Sequence, residues 1–193
     1  REMLIYSAPL LIVGFGGMVN ETIDRFMITS LYAGSSTEAR AANGIYSANY
    51  KLSIIIVLFI NAFRMGAEPF FFRQSKEENA PRTYARVMKF FVIACCLCAL
   101  AVLLFLDIWK YFMGIRKHPE YAKGLVVVPI LIFSKIFLGA YYNLSIWYKI
   151  TNKTLTGAYI TIIGAAITIG VNYLAIPYIG FIGCAIATFL CYG

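Results

Sequence analysis

Residues 9–32 read PLLIVGFGGMVNETIDRFMITSLY, and the placement of that stretch decides the fold. As a helix rising 1.5 Å per residue it is long and apolar enough to cross a hydrocarbon core of about 30 Å. Yet it contains Asn20, Glu21, Asp24 and Arg25. A charge at mid-bilayer costs about 2.5–3.5 kcal/mol on insertion scales, so such groups persist only against a bundle interior, a wet cavity or each other. On a helix, Glu21 and Arg25 are four apart, as are Asn20 and Asp24, and Glu21 and Asp24 are three apart. All four then share one broad face. The alternative is a shorter span, 4–19, that leaves 20–25 at the water interface. Against it, Phe26, Met27, Ile28, Leu31 and Tyr32 resume the apolar pattern, and the polar loop starts only at Gly34. Gly14, Gly16 and Gly17 lie in the same span and permit close helix contact or local bending.

The rest of the chain agrees with an embedded reading. Hydrophobic residues make up 61% and charged residues 13%, where soluble domains have about 45–50% and about 25%. The mean hydropathy is +0.75. These values describe an integral membrane protein. The apolar runs are continuous over about twenty residues, which means helices, not the ten-residue alternation of a barrel. The expected fold is all-α: a polytopic membrane helix bundle of about six transmembrane helices, forming a single transmembrane region over residues 1–193. The spans are 4–32, 43–72, 87–113, 125–149, 155–176 and 182–193. The chain opens at Arg1 without Met and ends at Gly193 inside an apolar run, so it reads as a fragment of a longer protein. Arg1-Glu2 leads directly into a span, without the cleavage pattern of a signal peptide.

Span 43–72 would be about 45 Å long and must tilt, kink or protrude. It has Asn43, Asn49, Lys51 and Ser53 towards one end and Asn61, Arg64 and Glu68 towards the other. Arg64 and Glu68 are spaced to pair, and Pro69 is expected to kink or end the membrane part. Loops are expected at 33–42, 73–86 and 114–124. Span 87–113 is the plainest, with no charge from Phe90 to Leu106. Span 125–149 places Lys135 near its middle, with no acid in its own helix, followed by Asn143 and Lys149. Span 155–176 is rich in Gly and Ala and ends near Asn172, before a turn at 177–180.

The net charge of +8 is spread over membrane-flanking loops and reflects topology, with no nucleic-acid partner. Arg1, Arg73, Lys76, Arg82, Arg86, Lys149 and Lys153 fall on one side; Arg40, Lys110, Arg116, Lys117 and Lys123 fall on the other. The richer side is placed in the cytoplasm. Cys95, Cys96, Cys98, Cys184 and Cys191 all lie in apolar spans and read as small buried side chains, with no metal site. The lone histidine, His118, sits beside Pro119 in a polar loop and reads as exposed. The loops offer no constellation for acid–base or nucleophilic work, so no catalytic residue is expected.

With that orientation, Asn20–Arg25 and Lys51 lie at similar depth in the outer half of the bilayer, Lys135 near the midplane, and Arg64 and Glu68 near the cytoplasmic end. Asp24, Arg25, Lys51 and Lys135 are the expected cavity charges. Asn20, Glu21, Asn49, Arg64, Glu68 and Asn172 are the supporting polar groups. Such a ladder of cations suits an anionic, lipid-linked headgroup. Glu21 is expected to hold Arg25, and Asp24 to reach across to Lys51. The opposing reading is structural: Lys51 and Lys149 snorkel to the interfaces, and Arg64 simply pairs with Glu68.

Residues 44–52, GIYSANYKL, and 170–188, GVNYLAIPYIGFIGCAIAT, together with Asp24-Arg25, resemble the polysaccharide (O-antigen type) flippases of the multidrug/oligosaccharidyl-lipid/polysaccharide transporter superfamily. The pattern Asn-x4-Pro-x2-Gly-x2-Gly-x-Ala-x-Ala-Thr, beginning at Asn172, is the more specific part, and the resemblance covers nearly the whole chain. It implies helices seven to twelve of a two-lobe flippase in the bacterial cytoplasmic (inner) membrane, the N-terminal lobe belonging to the same longer chain. It also implies alternating access that flips a polyprenyl-pyrophosphate-linked oligosaccharide for surface polysaccharide biosynthesis. Membrane lipid surrounds the bundle, and no cofactor is implied beyond a coupling proton or sodium ion. Cys184 stands where the family more often has Ala. A cation-coupled drug or metabolite antiporter of the same superfamily is the nearest alternative. A membrane-embedded glycan-processing enzyme and a non-transporting assembly partner are further ones.

Overall fold

The computed structural model describes residues 2–112, 115 and 118–193. Helix α1 is Glu2–Leu31, α2 Ser36–Gln74, α3 Ala80–Leu104, α4 Leu106–Phe112, α5 Val127–Ile150, α6 Thr154–Ile179 and α7 Phe181–Tyr192; a 3-10 helix, Pro119–Val126, leads into α5. No strand occurs among the described residues. By length and composition, Ser36–Gln74, Ala80–Leu104, Pro119–Ile150 and Thr154–Ile179 can each cross a membrane, and Phe181–Tyr192 is a shorter apolar helix. The architecture is therefore an all-α membrane helix bundle. Of the cations counted for topology, Arg1, Arg116 and Lys117 lie outside the described residues, as does the end of the expected span 87–113.

Several boundaries differ from the expectation, each for a local reason. Residues 36–42 are helix, not loop, because Ser35 opens a capping box: its hydroxyl accepts from the Glu38 backbone N–H at 3.3 Å, and its own N–H donates to Glu38 Oε2 at 2.8 Å. That reciprocal pair satisfies two of the donors a helix start leaves open. Arg40 accordingly sits on α2. Pro69 neither ends nor breaks α2, which runs on to Gln74, and Pro177 lies inside α6, which continues to Ile179. The reversal falls on Gly180 alone, at φ 59° and ψ −139°, a region essentially reserved for glycine. Span 87–113 is broken at Phe105, where α3 gives way to the short α4.

Helix α5 is the centre of the bundle, buried over most of its circumference from Val127 and Val128 through Lys135 to Tyr148, and open along one stripe at Phe133, Phe137, Leu144 and Trp147. On one side Val127 and Leu131 join Met27, Ile28, Tyr46, Ile176 and Cys184 in a core shared by α1, α2, α5, α6 and α7. On the other, Val128 and Ile132 join Ile56, Ile60, Phe91 and Cys95 of α2 and α3. Gly139 lets these helices close in: a Cβ there would meet the Phe91 ring at 2.9 Å. Lipid is as apolar as leucine, so such contacts hold by packing and by interhelical hydrogen bonds, not by exclusion of water. The outer faces are apolar, with Leu58, Met65, Phe90, Leu97, Leu104 and Tyr159 exposed. Cys96 also points outward, correcting the expectation that all five cysteines are buried; Cys95 and Cys184 are buried and Cys98 and Cys191 half-buried.

The connection between α2 and α3 is short and exposed from Lys76 to Asn79. With its cationic flanks, the positive-inside rule predicts a cytoplasmic side for this connection. In a variant without native cysteines, Glu78→Cys should resist an impermeant thiol reagent in intact cells and react after permeabilisation. Ready labelling of intact cells would reverse the orientation.

Candidate functional site

The buried polar groups of α1 form two linked clusters. Asp24 is 2% exposed and is enclosed by neutral donors from three other helices. Tyr46 of α2 donates its hydroxyl to Oδ2 at 2.8 Å, Thr188 of α7 donates to the same oxygen at 3.0 Å, and Asn172 of α6 donates its amide to Oδ1 at 2.7 Å. The Sγ of Cys184 lies 3.9 Å from the Asp24 carbonyl oxygen. One carboxylate thus joins α1, α2, α6 and α7, and its neighbours offer hydrogen bonds without a full opposing charge.

One turn earlier, Glu21 faces α5. Lys135 Nζ lies 2.6 Å from Glu21 Oε1, with the lysine side chain 0% and the glutamate 34% exposed. The ammonium also donates to Tyr50 Oη at 2.7 Å, Tyr50 in turn donates to Glu21 Oε2, and Tyr192 donates to Glu21 Oε1 at 3.1 Å. The Lys135 ammonium stands 4.9 Å from the Tyr50 ring centroid and 5.4 Å from that of Tyr192. A buried cation is therefore neutralised by one carboxylate and flanked by two aromatic faces, the arrangement that offsets the desolvation of an ammonium.

The pairings differ from those expected of the sequence. Glu21 takes Lys135, not Arg25, whose guanidinium sits 5.1 Å from the Tyr50 ring centroid instead. Asp24 does not meet Lys51, which is exposed on another face of α2: position 51 follows Tyr50 by about 100° around the helix. Glu68 pairs with Lys149 of α5, not with Arg64, and Arg64 lies 4.8 Å from the Tyr142 ring centroid. Asn20 donates to Cys191 Sγ at 3.5 Å. Asn49 donates to the carbonyls of Ile45 and Tyr121, both at 2.9 Å, and so fastens the 3-10 helix to α2. Of the expected residues, the bundle brings Glu21, Asp24, Arg25, Lys135 and Asn172 together and leaves Lys51, Asn49 and Glu68 elsewhere.

Tyr46, Tyr50, Thr188 and Tyr192 complete the site and were not singled out from the sequence. A signal for the first two was present. Tyr46 and Tyr50 are four apart on a span that also bears Asn61, Arg64 and Glu68 at helical spacing, and a tyrosine inside a bilayer needs a partner for its hydroxyl. Residues 50, 61, 64 and 68 lie near one stripe of α2, with Arg64 about 21 Å along the axis from Tyr50. On α5 the stripe continues from Lys135 to Tyr142 and Lys149, seven residues apart. Among the described residues, no group of three His, Cys, Asp or Glu side chains could hold a metal ion. His118 is exposed, 3.0 Å from Glu120 and stacked on Tyr121.

The MatE family model matches residues 9–174, which contain Glu21, Asp24, Lys135 and Asn172 and stop before Thr188 and Tyr192. No curated protein and no solved structure matches the chain.

Proposed function

We propose, from the premise that the chain belongs to the MatE family of multi-pass membrane transporters, that its substrate is an anionic, polyprenyl-pyrophosphate-linked oligosaccharide flipped across the bacterial cytoplasmic membrane by alternating access. The superfamily is the multidrug/oligosaccharidyl-lipid/polysaccharide one, and its members transport. The observation that supports an anionic substrate is the state of Arg25 and Arg64. Both are half-buried over tyrosine rings, and neither forms an ion pair among the described residues. Two guanidiniums without carboxylates, on the polar side of α1 and α2, are fitted to bind phosphate oxygens in bidentate fashion. Lys135 has a different part in this reading. Its charge is taken up by Glu21, so it holds the site's geometry instead of facing the headgroup.

Asp24 is the group suited to coupling. A carboxylate surrounded by three neutral donors, with no cation at ion-pair distance, can exchange a proton or a sodium ion as the lobes rock about the interface. The polyprenyl tail would remain in lipid between helices while the pyrophosphate passes the arginines.

A drug or metabolite antiporter is the second reading. It is favoured by the second carboxylate, Glu21, a third exposed and one turn from Asp24, which would suit a cationic substrate. Cells with the full-length protein separate the two. The double variant Arg25→Gln/Arg64→Gln should lower glycan export at least about tenfold, each lost charge-assisted hydrogen bond being worth about 1.5–3 kcal/mol, with inner-leaflet lipid-linked oligosaccharide accumulating and drug sensitivity unchanged. Unaltered export with raised drug sensitivity would establish the antiporter instead.

A further inference from the structure

Lys51 is absent from the ionic network, and its actual surroundings have a chemistry of their own. It lines a groove of about 400 Å³ between α2, α4 and the 3-10 helix, whose lining includes neither Asp24 nor the residues that bond it. Gly44, Ser47 and Ala48 form a floor of small residues, Trp109 and Tyr121 form the walls, and Leu52 and Ile55 line the inner end. From Gly44 to Ile55 the groove follows α2 for about 17 Å. Hydroxyl, amine and phenol groups lie towards the loop end, and aliphatic groups lie deeper.

The wall is fastened in place. Asn49 holds the Tyr121 carbonyl at 2.9 Å, and Gly124 packs so closely on Asn49 and Ile45 that a Cβ there would overlap the Asn49 amide. The ammonium of Lys51 is exposed and forms no ion pair among the described residues. Trp and Tyr beside a lysine mark the headgroup level of a membrane, and the groove opens on the lateral surface of the bundle, not on the stripe that bears Arg25 and Arg64.

We propose that this groove is a lateral site for an anionic membrane phospholipid, with the phosphodiester on Lys51 and Ser47 between Trp109 and Tyr121, and an acyl chain along Leu52 and Ile55. The occupant follows from charge complementarity: one unpaired ammonium matches one phosphodiester, and the apolar inner end matches a chain. A free phosphate would use only the outer half. The site stands independently of the transported substrate, and it would bind lipid in either reading of the function.

The test is native mass spectrometry of the full-length protein released from nanodiscs containing phosphatidylglycerol and phosphatidylcholine. Lys51→Met should reduce phosphatidylglycerol adducts about fivefold, the effect of one lysine on an anionic headgroup, and leave phosphatidylcholine adducts unchanged. Ala48→Phe, which fills the groove and keeps the charge, should reduce the same adducts, while Lys153→Met, at an exposed turn, should not. Equal adducts in Lys51→Met and the parent would overturn the proposal. So would a matching loss with inorganic phosphate as the competitor, which would show a simple anion site. Loss of an added polyprenyl-pyrophosphate adduct alone would place Lys51 on the transport route and overturn it as well.

Discussion

Glu21→Gln should destabilise the protein more than Lys135→Met does, although the two residues form one pair. The reason is unequal burial. Lys135 is fully enclosed, while Glu21 is a third exposed. Without Glu21, the ammonium keeps the Tyr50 hydroxyl and two ring faces but no counter-charge, and an uncompensated buried charge costs about 3–5 kcal/mol. Without Lys135, Glu21 keeps the Tyr50 and Tyr192 hydroxyls and can turn towards water, so the loss should be about 1–3 kcal/mol. Glu21→Gln/Lys135→Met should then be more stable than Glu21→Gln alone. Unfolding of the full-length protein in mild detergent measures all three. Equal single effects, or strict additivity, would show that the pair is not coupled as described.

At Asp24, stability and transport should come apart. Asp24→Leu leaves the donors of Tyr46 and Asn172 without an acceptor at the junction of four helices, while Thr188 keeps the Cys184 carbonyl at 2.9 Å. At about 1–3 kcal/mol for each stranded group, little folded protein should accumulate. Asp24→Asn keeps one acceptor oxygen. Its new amide can donate to Asn172 Oδ1, which is buried and has no hydrogen-bond partner, if that side chain turns over. Abundance should therefore stay within about 1 kcal/mol of the parent, whereas export should fall at least about tenfold if the carboxylate's charge does the coupling. Normal export by Asp24→Asn, alongside loss of Asp24→Leu, would mean that the cage only ties helices together.

These two residues also show how far local reasoning reaches. Helical spacing placed Glu21 four residues before Arg25, a sound pairing for an isolated helix. In the bundle, Lys135 arrives from α5 with no other acid, and its need for a counter-charge exceeds that of a guanidinium that can lie on the Tyr50 ring and reach solvent. The same competition moves Glu68 from Arg64 to Lys149. Lys51 lies on a different face from the one expected, because the single step from Tyr50 rotates a side chain by about 100°. A tighter reading of Ser35-x-x-Glu38 would have started α2 correctly, since a capping box is local.

What the sequence determined by itself is the medium and the inventory. Continuous apolar runs require helices in a membrane, because lipid leaves backbone groups no partner except their own helix. Charges inside those runs require an interior to face. That interior includes Asn20, Glu21, Asp24 and Lys135. Only the tertiary structure decided who meets whom, and with it the cage around Asp24. Tyr46, Asn172 and Thr188 lie 22, 148 and 164 residues from Asp24, and no periodicity within one helix relates positions on four. Their meeting depends on how α1, α2, α6 and α7 rotate and cross as they pack, a property of side-chain shape at every contact.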